Sequence, residues 1–219
     1  MSFRRLIVGG ITLSINRIPF LVRLYRSERY IGFCGGTLLG ERIVLTAAHC
    51  FDSYNGTVYV GTFQYNIFAD TSQEASDVIR VKSVHVDPRY DPSNIAAGND
   101  VAVLTLSRTP RMFGSPTGPR PIVLGDSSFW PRIVEQPSDS AYVMGYGSQT
   151  YQGPQSVYPR VAHVQLYTEA QCRDLLGITL SPSNLCAGLP GSDSCSGDSG
   201  GPIIVAYNGT FLPVGIISG

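Results

Sequence analysis

The chain has 219 residues, enough to bury a sizeable core as one domain or two small ones. Sixteen Lys plus Arg balance sixteen Asp plus Glu, and charged residues make up only 15% of the total. No electrostatic field therefore favours a phosphate backbone or an anionic lipid surface, and neither nucleic acid nor membrane is an expected partner. Hydrophobic residues at 43% and aromatics at 10% exclude a disordered chain. No apolar run approaches the roughly 20 residues of a membrane span.

The first residues, Met1-Ser2-Phe3-Arg4-Arg5, carry charge with no apolar run behind them, so the sequence as written shows no secretory signal peptide. Short β-like runs then recur at Phe20–Tyr25, Arg42–Ala47, Thr57–Phe63, Val78–Val86 and Asp100–Leu106. Arg108–Pro121 holds four prolines and two glycines, cannot continue a strand ladder, and reads as an ordered linker between two halves. Further runs follow at Ala141–Tyr146, Arg160–Tyr167, Pro202–Tyr207 and Pro213–Ser218. The single helix predicted is Glu169–Leu176, where Thr168 and Gln171 have capping-box spacing and Leu175-Leu176 offers an apolar edge. With 24 Gly and 15 Pro punctuating these runs, the expected class is all-β, as two barrels or one sandwich.

Five cysteines, Cys34, Cys50, Cys172, Cys186 and Cys195, lack C-x-x-C spacing, which argues for disulfides over a zinc ribbon or a thioredoxin-type site. Sequons at Asn55-Gly56-Thr57 and Asn208-Gly209-Thr210 fit a secreted protein. His85 and His163 have no second metal-type ligand at a short spacing and read as strand residues; no metal and no cofactor is expected.

Gly197-Asp198-Ser199-Gly200-Gly201-Pro202 surrounds one serine with residues that permit tight turns and close backbone approach. A serine hydroxyl is a weak nucleophile and needs a base, with a carboxylate to orient that base. All three histidines precede Ser199, which excludes the α/β-hydrolase order, and no Asp precedes His49, which excludes a subtilisin order through that residue. The order His, Asp, Ser remains. His49 follows an apolar strand in Thr46-Ala47-Ala48-His49-Cys50, and Asp100 opens Asp100-Val101-Ala102-Val103-Leu104, where a buried carboxylate needs a donor such as an imidazole N–H.

With Ile7-Val8-Gly9-Gly10, Cys34-Gly35-Gly36-Thr37-Leu38, Thr46–Cys50, Asn99–Leu104, Gly197–Pro202 and Gly215-Ile216-Ile217-Ser218 in this order, the chain resembles a trypsin-like serine protease of the chymotrypsin family from Ile7 through Ser218. The resemblance implies two six-stranded antiparallel β-barrels, about 7–107 and about 122–219, joined by a linker at about 108–121, with a pro-segment remnant at 1–6. It implies His49 as general base, Asp100 as its orienting carboxylate, Ser199 as nucleophile, and the N–H groups of Gly197 and Ser199 as oxyanion hole. Asp193, six residues before Ser199, falls at the family's S1 position with Ser194 and Ser218 beside the substrate, implying cleavage after Arg or Lys. Cys34 with Cys50 and Cys172 with Cys186 correspond to two family bridges, while the partner of Cys195 lies downstream of Gly219 in the family.

In that family a freed Ile amine pairs with the aspartate before the nucleophile, here Ile7 and Asp198; Leu6 separates Ile7 from Arg5. The segment that follows Ser218 in the family supplies a Trp, a last strand and a terminal helix, so the second barrel is expected to be incomplete here. The expected function is a secreted, monomeric serine endopeptidase acting on proteins or peptides and open to protein protease inhibitors. The alternative is a catalytically silent protease-fold protein that binds or inhibits.

Overall fold

The computed structural model describes residues 10–13, 17–26, 31–52, 56–62, 77–125, 141–148, 153–177, 179–189, 196–207 and 209–218. Their strands are β1 (Ile11–Thr12), β2 (Leu21–Arg26), β3 (Ile31–Leu38), β4 (Ile43–Thr46), β5 (Val58–Thr62), β6 (Asp77–Val86) and β7 (Ala102–Leu106), then β8 (Ala141–Gly145), β9 (Arg160–Tyr167), β10 (Cys186–Gly188), β11 (Pro202–Tyr207) and β12 (Thr210–Ile216). An α-helix, α1, spans Glu169–Leu176.

Strands β2-β3-β4-β7-β6-β5 close into an antiparallel barrel. Alternation explains the closure: Ala102, Leu104 and Leu106 of β7 turn inward, and Val22, Leu24, Val44 and Val60 are fully buried against them. Among the described residues, six further strands form an open sheet in the order β1-β9-β8-β11-β12, with β10 on β9, and this second barrel does not close. Its core packs Val143, Val164, Leu166, Ile203 and Val205. β1 leaves the first half of the chain and pairs with β9, Ile11 opposite Val161.

The strand runs read from the sequence recur within about two residues, apart from Phe63, which lies outside the described residues, and β12, which begins at Thr210. β3 escapes a propensity reading because Gly32, Gly35 and Gly36 interrupt it. A Cβ on Gly36 would stand 2.9 Å from Val44 and 3.0 Å from Val22, so the barrel interior leaves no side-chain room there. Asp100 lies before β7 rather than within it, at a turn where Val101 N donates to Asn99 O at 2.8 Å.

Helix α1 begins at its capping box. Thr168 Oγ1 accepts from Gln171 N at 3.2 Å, and Gln171 Oε1 accepts from Thr168 N at 2.9 Å. Leu175 and Leu176, expected to form a packing edge, are instead exposed. The helix is tied down through buried Cys172, bonded to Cys186 of β10. That bridge and the Cys34–Cys50 bridge close short loops and each stabilises by about 3 kcal/mol in the chain-entropy account.

The linker is fastened to the first barrel at Asp77. Arg108 donates to both carboxylate oxygens at 2.7 and 2.5 Å, and Arg111 N donates at 2.8 Å. Burial alone would raise this carboxyl's pKa, but the Arg108 and Arg111 hydrogen bonds outweigh it and hold the group below the usual range. The stabilisation is therefore complete above the unfolded carboxyl pKa of about 3.9 and is lost as pH falls through the depressed folded value. Asp77→Asn is expected to cost about 2 kcal/mol at neutral pH, discounted for the exposure of both arginines, and to flatten the acid side of the stability curve. Urea titrations of both proteins from pH 3 to pH 7 check both effects.

Candidate active site

β4 delivers the chain into a 3-10 turn at Ala48–Phe51, which carries His49. Buried Cys50 ties that turn to β3 through Cys34. The His49 backbone N–H donates to Asp100 Oδ1 at 2.8 Å, and ring Nδ1 lies 2.7 Å from Asp100 Oδ2. A carboxylate only accepts, so Nδ1 bears the proton and Nε2 is the ring's accepting end. Among the described residues Nε2 has no hydrogen-bond partner.

Ser218 Oγ donates a further bond to Asp100 Oδ2 at 2.5 Å. The Asp100 side chain is 4% exposed and the His49 side chain 23%, so the carboxylate is buried while the imidazole keeps part of its surface open to solvent. Burial pushes the Asp100 carboxyl up, but the bonds from His49 and Ser218 outweigh it and hold the group below its usual value. Gly98 and Asn99, both at positive φ of 76° and 59°, make the turn that leads into Asp100. The strand-preceding segment 181–184 straps this loop: Ser181 N donates to Ala96 O at 3.0 Å, and Asn99 N to Ser183 Oγ at 3.3 Å.

Ser199 sits on a turn framed by Gly197 and Gly200, with φ 101° and 81°. Its carbonyl accepts from Gly35 N at 2.7 Å, Gly200 N donates to Ile217 O at 2.8 Å, and Gly201 N donates to Asp198 O at 2.8 Å. A Cβ on Gly200 would overlap Thr46 Oγ1 and stand 2.6 Å from Gly35 O. Thr46 Oγ1 in turn donates to Gly35 O at 2.8 Å. The serine turn is thereby pressed against the strand end that leads into His49, and the two half-buried residues share one junction between the barrels.

Asp198 is completely buried, and Gly147 N donates to its Oδ1 at 2.7 Å. A Cβ on Gly145 or Gly147 would overlap the carboxylate, so both glycines are required by its position.

The structure thus brings His49, Asp100 and Ser218 together, and sets Gly197, Asp198 and Ser199 on a turn packed against Gly35 and the end of β4. Ile7, Asp193, Ser194 and Cys195, with the sequon residues Asn55 and Asn208, lie outside the described residues. His85 is exposed near the end of β6, beside Ser83, and His163 packs edge-on to Tyr142. Cys34, His49 and Cys50 stand close enough to suggest a metal site, but the two sulfurs are bonded to each other and offer no thiolate.

The sequence reading did not single out the roles of Thr46, Gly35 or Tyr90. Gly35 and Thr46 entered that reading only as members of motifs that carry the family resemblance. Tyr90 donates to Asp52 at 2.7 Å, joining the loop before Asp100 to the turn after His49; burial and that carboxylate push its phenol pKa well up. A cavity of about 380 Å³ opens on the far side of Asp100, lined by Val143, Leu185, Val214 and Ser218 but by neither His49 nor Ser199.

A serine held at the junction of a closed barrel and a second β-sheet, beside a carboxylate-bound histidine, is the arrangement of the two-barrel serine proteases. Residues 7–219 match the Trypsin family model, and the chain belongs to the trypsin family of serine endopeptidases. It is 36% identical over 208 residues to mouse "Serine protease 56", covering 93% of this chain and 32% of that protein. It is 32% identical to "Trypsin" of Saccharopolyspora erythraea, over 91% of this chain and 82% of that one. Rabbit "Coagulation factor IX" is 31% identical over 97% of this chain and 74% of its own length.

Gly200→Ala places a side chain at φ 81° and into Thr46. It is expected to destabilise the protein by about 3 kcal/mol or more, read as a lower urea midpoint with unchanged slope.

Proposed function

We propose that this chain hydrolyses peptide bonds through an acyl-enzyme on Ser199, with a preference for Arg or Lys before the cut bond. The observation that carries the reading is the two-point attachment of His49 to Asp100 beside the Ser199 turn. With Nδ1 committed to Asp100, His49 Nε2 takes the Ser199 proton as Oγ attacks the scissile carbonyl, and it then returns that proton to the leaving amine. Water repeats the sequence in reverse to release the acid. The N–H groups of Gly197 and Ser199 hold the oxyanion, and the positive φ of Gly197 supports that assignment.

Asp193 and Ser194 complete the substrate pocket with Ser218, the carboxylate selecting a basic side chain. A freed amine at Ile7 pairs with Asp198, a reading supported by the match of Ile7-Val8-Gly9-Gly10 and Asp198 to the family's activation pair. Two disulfides support an oxidising, extracellular setting. The substrates are proteins or peptides, and protein protease inhibitors are fitting partners of the same cleft.

A fluorophosphonate probe is expected to modify the processed protein stoichiometrically at Ser199 and to leave Ser199→Ala unlabelled. Absence of labelling in the parent favours a silent binding protein. Asp100→Asn is expected to lower kcat on the order of 10⁴-fold. Asp193→Asn is expected to reduce kcat/KM for Arg esters about 100-fold or more relative to neutral esters, measured by competing the two substrates.

A further inference from the structure

Arg23 is a cation at the barrel junction that the chemistry above does not use. It projects from β2 toward the second barrel, where Nη2 donates to Gln155 Oε1 and Nη1 to Ser156 O at 3.4 Å. Its guanidinium carbon stands 5.4 Å from the Tyr146 ring centroid and 5.6 Å from that of Tyr25, within range of both ring faces. A Cβ on Gly32 would overlap the Arg23 Nε, so a glycine in the neighbouring strand makes the room this side chain occupies.

Gln155 carries the contact onward. With Oε1 held by Arg23, Nε2 faces the other way, and it is the atom nearest the place a Cβ would take on Gly197. Gln155 also forms a β-bridge with Ser148, and Ser148 N donates to Ser196 O at 3.0 Å. The 196–197 backbone is thus held on one side by Ser148 and covered on the other by the Gln155 amide. Glycine at φ 101° has wide rotational freedom, and a donor contributes to catalysis only if its direction is set before charge develops.

We propose that Arg23 and Gln155 are positioning residues for the serine turn. Arg23 orients the Gln155 amide, and Gln155 fills the open face of Gly197 so that its N–H stays aimed at the substrate carbonyl. This rests on the reading that Gly197 serves the oxyanion.

The test uses the full processed chain, an Arg ester and the fluorophosphonate probe, with Gln155→Ala, Arg23→Gln, Arg23→Lys and the double variant Arg23→Gln/Gln155→Ala. Gln155→Ala and Arg23→Gln are each expected to lower kcat about tenfold with KM within about twofold, because a misdirected donor is lost mainly in the transition state. The labelling rate should fall in parallel, the double variant should be no slower than Gln155→Ala, and Arg23→Lys should recover part of the loss. Unchanged kcat in Gln155→Ala overturns the proposal, as does an Arg23→Gln effect that persists undiminished without Gln155 or appears in KM alone. Should Arg23→Gln fail to fold, Gln155→Ala and Arg23→Lys decide the matter by themselves. A parent protein that does not label overturns the Ser199 reading and this inference together; a parent and a Gln155→Ala variant that label equally fast overturn only the inference.

Discussion

The backbone bond from Gly35 N to Ser199 O, 2.7 Å long, joins the two halves of the molecule at the point where chemistry is placed. Gly35 belongs to the closed barrel and Ser199 to the turn before β11, so neither half alone positions the serine. Around that bond the packing is between backbones. A Cβ on Gly35 would stand 3.2 Å from Gly201 Cα, and one on Gly200 would overlap Thr46. Thr46, fully buried, uses its hydroxyl to satisfy the Gly35 carbonyl that this close approach would otherwise leave without a donor.

The same junction concentrates buried charge. Asp100 and Asp198 are both sequestered from water, but in different ways. Asp100 is satisfied by His49 and Ser218, and the depression of its carboxyl pKa shows that these bonds outweigh its desolvation. Asp198 lies in a cradle made by the missing side chains of Gly145 and Gly147. Between them runs the serine turn, whose two positive-φ glycines replace conformations that other residues adopt only under strain.

Much of this was legible from residue order and spacing. β7, β9 and β11 follow from alternating or continuous apolar runs, and α1 from Thr168 and Gln171, because both signals are local. The pairing of His49 with Asp100 followed from chain order and from the need of a buried carboxylate for a donor. β3 was hidden because its glycines answer to a distant neighbour, Gly35 to Gly201 and Gly36 to Val22 and Val44. The Tyr90 to Asp52 contact was hidden for the same reason: 38 residues separate two polar side chains that carry no local pattern. Leu175 and Leu176 misled in the opposite direction, since an apolar pair suggests a packing face that α1 does not bury.

The pairing of β1 with β9 has a consequence for the order in which the chain is made. Ile11 emerges from the ribosome 150 residues ahead of Val161, its partner across the sheet. At ordinary synthesis rates that delay is roughly 8–30 s, far longer than a barrel strand needs to find a neighbour. During that interval Gly10, which accepts from Arg160, and Leu13, which donates to Pro159 at 3.1 Å, have no second-sheet partner to bind. The closed barrel, whose strands end at Leu106, has all its members in hand well before this. Nascent chains of this fold therefore carry β1 without its sheet partner until β9 has been synthesised.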